Sequence, residues 1–128
     1  MIRSAVVLTV LVGVCLAQRG FVGGWSQVDP KIRPDLLELA HFAVASQTAG
    51  LEYYHTVLEL TKASQQVVAG VNYKLTLKVA PSKCKVSETV YSKELCQPQL
   101  NAAPKDCEAQ LYVVPWRNTK EVTSFECN

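Results

Sequence analysis

No single charge dominates this chain. Thirteen Lys and Arg stand against eleven Asp and Glu, and no basic cluster stands out, so neither nucleic acid nor an anionic membrane is indicated as a partner. Catalytic strings are missing as well. There is no G-x-S-x-G, no P-loop and no H-E-x-x-H, which leaves the common hydrolase, nucleotide and zinc-protease chemistries without a carrier. The two histidines, His41 and His55, stand in no catalytic context and are read as structural or solvent-facing. Cys84, Cys96, Cys107 and Cys127 are separated by 11, 10 and 19 residues. Without a close C-x₂₋₄-C pair, these spacings argue against zinc. Asn72, Asn101 and Asn118 lack the hydroxyl residue two positions on, so no N-glycosylation sequon occurs.

Long apolar runs are scarce, and the one present is N-terminal. Met1-Ile2-Arg3 precedes an apolar stretch from Ala5 to Leu16, with small residues Cys15 and Ala17 at its end. That stretch is shorter than the roughly 20 residues a membrane span needs and fits a secretory signal. Residues 1–17 are the expected signal peptide and residues 18–128 the mature domain. Its 111 residues suffice for one core but not two. Cleavage removes Arg3 and Cys15, leaving a net charge near +1 and four cysteines. The expected compartment is secreted and extracellular, where two disulfides are the better reading of the cysteines. Sequence alone allows three pairings.

Periodicity supplies the elements. Leu36, Leu37, Leu39, Ala40, Ala43 and Val44 recur at helical spacing between Asp35 and Gln47, with Glu38, His41 and Ala45 opposite. Pro34 suits the first helical position, and Gly50 is read as the left-handed stop. In Val71–Val79 every odd position is apolar and every even one polar, the pattern of a half-buried strand. Tyr53–Ala63 reads as a looser strand with Leu58 and Leu60 on one face. Ala109–Val114 and Val122–Phe125 read as two more, joined by a turn over Pro115–Lys120. The proline-bearing stretch between Ala80 and Lys105 reads as a surface excursion. Together these predict an α+β domain, one long helix packed across a four- to five-stranded antiparallel sheet.

Three short pieces remain that folding explains only in part. Gly23-Gly24 follows Phe21-Val22 and could be a flexible stub before the domain. Gln66-Val67-Val68-Ala69-Gly70 falls at a hairpin tip between two strands. A turn accounts for its glycine, but not for two valines at an exposed position. Pro115-Trp116 could be a strand terminator with a core tryptophan, or an exposed anchor. Exposure separates those two readings.

In this order, the N-terminal glycine, Q-x-V-x-G and P-W resemble the tripartite signature of secreted, type 2 cystatins, with detail similar to arthropod salivary members. The helix segment Leu39-Ala40-His41-Phe42-Ala43-Val44 shares the resemblance, which spans essentially the whole mature chain. It implies the cystatin fold with bridges Cys84–Cys96 and Cys107–Cys127, a pairing that also closes the shortest loops. It also implies reversible, competitive, tight-binding inhibition of papain-like cysteine proteases of the cathepsin L and S type. Phe21, Val22, Gly23 and Gly24, the loop Gln66, Val67, Val68, Ala69 and Gly70, and Pro115 with Trp116 would fill the protease cleft. No cofactor or metal is implied, and the expected state is a monomer, with a domain-swapped dimer as the alternative. An extracellular binding module of the same fold without protease inhibition is the competing function. Some cystatins also inhibit asparaginyl proteases through a Ser-Asn-Asp loop after the helix. Here Ser46-Gln47-Thr48-Ala49-Gly50 has no asparagine, so that activity is not carried over.

Overall fold

A computed structural model describes residues 24–128. Strand β1 (Trp25–Val28) and a short 3₁₀ turn (Pro30–Ile32) lead into helix α1 (Pro34–Ser46). Strands β2 (Tyr53–Val68) and β3 (Gly70–Lys85) form a long hairpin. Strand β4 (Lys105–Val114), a second 3₁₀ turn (Pro115–Arg117) and strand β5 (Thr119–Cys127) complete the chain. The strands lie in the order β1-β2-β3-β4-β5, each antiparallel to its neighbour. The sheet thus follows the sequence without a crossover.

The helix begins where its sequence directs. Pro34 takes the first helical position, where its missing N–H breaks no bond. The Arg33 guanidinium grips the Asp35 carboxylate through Nε and Nη2 at 3.0 and 2.9 Å. This contact holds Asp35 below the usual carboxylate range. Leu36, Ala40, Ala43 and Val44 are buried against Tyr73, Leu75, Leu77, Val79, Ala109 and Leu111 of the sheet. Each fully buried leucine here contributes about 1.5–3 kcal/mol by removal from water.

Four local readings need correction. Leu37 is 39% exposed; it falls just outside the stripe that meets the sheet. Gly50, though at φ +74°, does not stop the helix. The helix ends at Ser46, where Gln47 N–H bonds Val44 O at 3.1 Å, and Gly50 serves the separate turn closed by Leu51 N–H on Thr48 O. Leu58 is exposed whereas Leu60 packs on the core. Register shifts at Val57/Glu59 and Leu60/Lys62 break the simple alternation of β2.

The stretch after Ala80 is the fourth. It is not simply a surface excursion, because β3 runs on to Lys85 and buries Ala80, Ser82 and Cys84. The buried positions switch from odd to even at Val79–Ala80. The following loop docks there through Gln99 Nε2 on Ser82 O at 2.8 Å, Lys83 N–H on Gln97 O and a bridge between Ser82 and Pro98. Disulfides join Cys84 to Cys96 and Cys107 to Cys127.

Candidate functional site

Strand register brings three segments to one end of the sheet. Strands β2 and β3 meet at Ala69, with Val67 opposite Val71 and Val68 opposite Gly70. On the far side of β3, Val71 faces Val113 of β4, one residue before that strand ends. The Pro115–Arg117 turn therefore lies beside the hairpin tip. On the near side, Trp25 of β1 faces Gln66, so Gly24 leads into the sheet from this same end. Phe21, Val22 and Gly23 lie outside the described residues.

The hairpin tip is tighter than the sequence suggests. Instead of a loop over Gln66–Gly70, Gln66, Val67 and Val68 belong to β2 and Ala69 alone separates the strands. Gly70 makes this closure possible. Its φ of +112° favours a residue without Cβ. A Cβ there would stand 2.8 Å from Tyr112 Oη, 2.9 Å from Tyr112 Cε1 and 2.9 Å from Val113 O. The Tyr112 hydroxyl donates to Ala69 O across that gap. Deeper in the hairpin, Asn72 Nδ2 donates to Gln66 Oε1 at 3.0 Å.

The second turn is built by proline and asparagine. Pro115 opens the 3₁₀ turn, and Asn118 N–H closes it on Pro115 O at 3.1 Å. Asn118 adopts φ +51°, a left-handed conformation asparagine tolerates better than most residues. Trp116 is 69% exposed, so it is not a core residue.

The hairpin tip and Pro115-Trp116 are apolar, with the exposed cations Arg117 and Lys120 beside them. Val67 is 61% and Val68 42% exposed, and neither Gln66–Gly70 nor Pro115-Trp116 contains an ionisable side chain. Such a surface can dock but supplies no nucleophile, acid or base. Trp25, half exposed on β1 opposite Gln66, belongs to the same neighbourhood, with Lys74 Nζ 4.6 Å above its ring. Sequence reasoning passed over Trp25, Asn72 and Tyr112. For Tyr112 a signal existed: it occupies a polar-side position in β4, where Ala109 and Leu111 are buried.

Neither histidine belongs to the hairpin tip or to the Pro115–Arg117 turn. His41 shares a hydrogen bond between Nδ1 and the Tyr91 hydroxyl, and His55 pairs with Pro81 near the opposite end of β2. Burial pushes both imidazoles below their ordinary value. Among the described residues, no group of three or more His, Cys, Asp and Glu gathers as a metal site. Nor is any helix among them long and apolar enough to cross a membrane.

Comparison with known proteins agrees with this architecture. The cystatin domain model matches residues 23–116. Mialostatin of Ixodes ricinus is 47% identical over 124 residues, covering 96% of this chain and 88% of the relative. Cystatin-2 of Ornithodoros moubata is 46% identical over 123 residues, covering 94% and 95%. The crystal structure of a salivary cystatin from the soft tick Ornithodoros moubata superimposes with a TM-score of 0.79 at 49% identity, over 83% of this chain and 97% of that one. With this match over most of its length, the chain belongs to the cystatin family, whose members are inhibitors of cysteine proteases and not enzymes.

Proposed function

We propose that this protein is a secreted, reversible and competitive inhibitor of papain-like cysteine proteases of the cathepsin L and S type. The end of the sheet acts as a wedge. Val67, Val68 and Ala69 enter the active-site cleft, Trp116 anchors one side, and the segment Phe21–Gly24 follows the non-primed side. Contacts are apolar or through backbone. No bond forms to the catalytic cysteine and no peptide is presented for cleavage. One observation carries this reading: two exposed valines and an exposed tryptophan share one end of the sheet. Exposed apolar clusters of that kind mark interaction sites. The sheet holds both turns in place, which lowers the ordering entropy of binding.

Salivary and gut cystatins among the relatives support secretion, as does the signal-like run at residues 1–17. The test uses mature protein, residues 18–128, titrated against papain and cathepsins L, S and B. Tight inhibition that competes with an active-site-directed cysteine label is expected. Absence of inhibition at micromolar concentration with an intact N-terminus overturns the proposal and leaves a non-inhibitory binding module of the same fold.

A further inference from the structure

We propose that Tyr112 is a positioning residue that holds the Gln66–Gly70 hairpin tip in its binding shape, an inference that rests on the inhibitory reading above. The register puts Trp25, Gln66, Asn72 and Tyr112 in one transverse row across β1, β2, β3 and β4. The row lies only a few residues from the tip. Two of its side chains hold neighbouring elements: Asn72 donates to Gln66, and Tyr112 donates to Ala69 O.

Ala69 is the one residue between the two strands, and its carbonyl has no ladder partner supplied by strand geometry. The Tyr112 hydroxyl takes that role. The Tyr112 ring lies over Gly70, where any Cβ would collide with it. The glycine of the Q-x-V-x-G string therefore admits a brace from the adjacent strand as well as a left-handed turn. Gln66, in turn, directs its carbonyl oxygen to Asn72 within the hairpin, which assigns it to shaping the loop. Val67 and Val68 remain as the exposed pair.

A braced tip binds without first being ordered, and that is the source of its advantage. Removing the brace should leave the contact surface intact while adding conformers that must be excluded on binding. Tyr112→Phe isolates this effect, because it deletes one hydroxyl and keeps the ring.

The experiment compares parent and Tyr112→Phe by amide hydrogen exchange without protease, and by stopped-flow binding to papain. Faster exchange confined to residues near 68–71, with a Kd raised about three- to tenfold, as expected for one hydrogen bond, supports the proposal. Unchanged exchange at the tip overturns it, whatever the affinity. Changed exchange with parental affinity also overturns it, since the brace then has no part in binding. If the parent itself does not bind papain, the inhibitory reading falls. The positioning role in binding falls with it, and the exchange data then report only whether the hydroxyl orders the tip.

Discussion

At the scale of the residue, Gly70 and Trp116 represent opposite requirements. Gly70 combines a φ of +112° with a Cβ position 2.9 Å from a backbone carbonyl, and that carbonyl belongs to a paired strand. Gly70→Ala should therefore lower stability by about 1–3 kcal/mol, read as an earlier urea midpoint with an unchanged slope. Trp116 is 69% exposed, so Trp116→Ala should change stability by no more than about 0.5 kcal/mol. Its affinity for papain should nevertheless fall by about 2 kcal/mol, roughly thirtyfold, mostly through faster dissociation. An unaffected affinity would remove Trp116 from the contact surface. Both turn residues were legible as a motif in sequence. The bond made by Tyr112 was not, because its partner is a backbone oxygen 43 residues away, and periodicity reports only which face a side chain occupies.

The histidines give a residue-scale prediction of pH dependence. Burial lowers the folded-state values of His41 and His55 below 6.5. The unfolded chain therefore binds more protons as pH falls through about 6.5, and folding stability declines on acidification. For His41, Glu38 and Glu94 oppose the shift and Lys93 adds to it. Thermal melts of the parent should move down between about pH 7.5 and 5, a window above that of Asp35, whose depressed value matters mainly as pH falls through the ordinary carboxylate range. The double variant His41→Gln, His55→Gln should show a flatter profile. A parent whose melting temperature is constant over that window would contradict the assignment.

Among the elements, the helix and the Val71–Val79 part of β3 followed from their patterns, because each presents one face to the core. The loop between Val86 and Pro104 did not. Its polar, proline-bearing composition reads as solvent-exposed, yet Cys96 is 1% exposed and Tyr91 joins both Thr56 of β2 and His41 of α1. Tyr54 donates to Thr89 O from β2 as well. These anchors are long-range and leave no period in the sequence. Leu58 illustrates the same limit, since a bulge that changes register cannot be seen in the strand that carries it. The loop's disulfide is its firmest tie. Cys84→Ser with Cys96→Ser should lower stability by about 3 kcal/mol on the chain-entropy account, measured by denaturant unfolding. Inhibition by the still-folded protein should persist, because thirteen residues of strand separate Cys84 from Gly70.

For the molecule as a whole, the sheet's sequential topology decides where everything lies. Each hairpin returns the chain to a known end, so the co-location of Gln66–Gly70 and Pro115-Trp116 was readable once the strands were placed. The contribution of β1 was less readable: four residues are too few to show a period, and Trp25 gains its meaning from pairing with Gln66. Removing residues 18–23 leaves the strands intact, since β1 begins at Trp25. The truncated protein should melt with the mature form yet bind papain-like proteases more weakly, most of all those with an open non-primed side. Equal affinity of the two forms would show that the arm is not part of the contact.

The covalent ties lie away from the exposed tips: Cys84 is close to the final residue of β3, and Cys107 sits opposite Leu77 at its middle, seven residues beyond Gly70. Substitutions at Val67, Val68 or Trp116 therefore fall on positions that neither the bridges nor the buried leucines depend on. Folding and target choice can be selected almost separately. A lineage carrying this scaffold can alter its protease preference through a handful of surface changes while the bridged framework stays as it is.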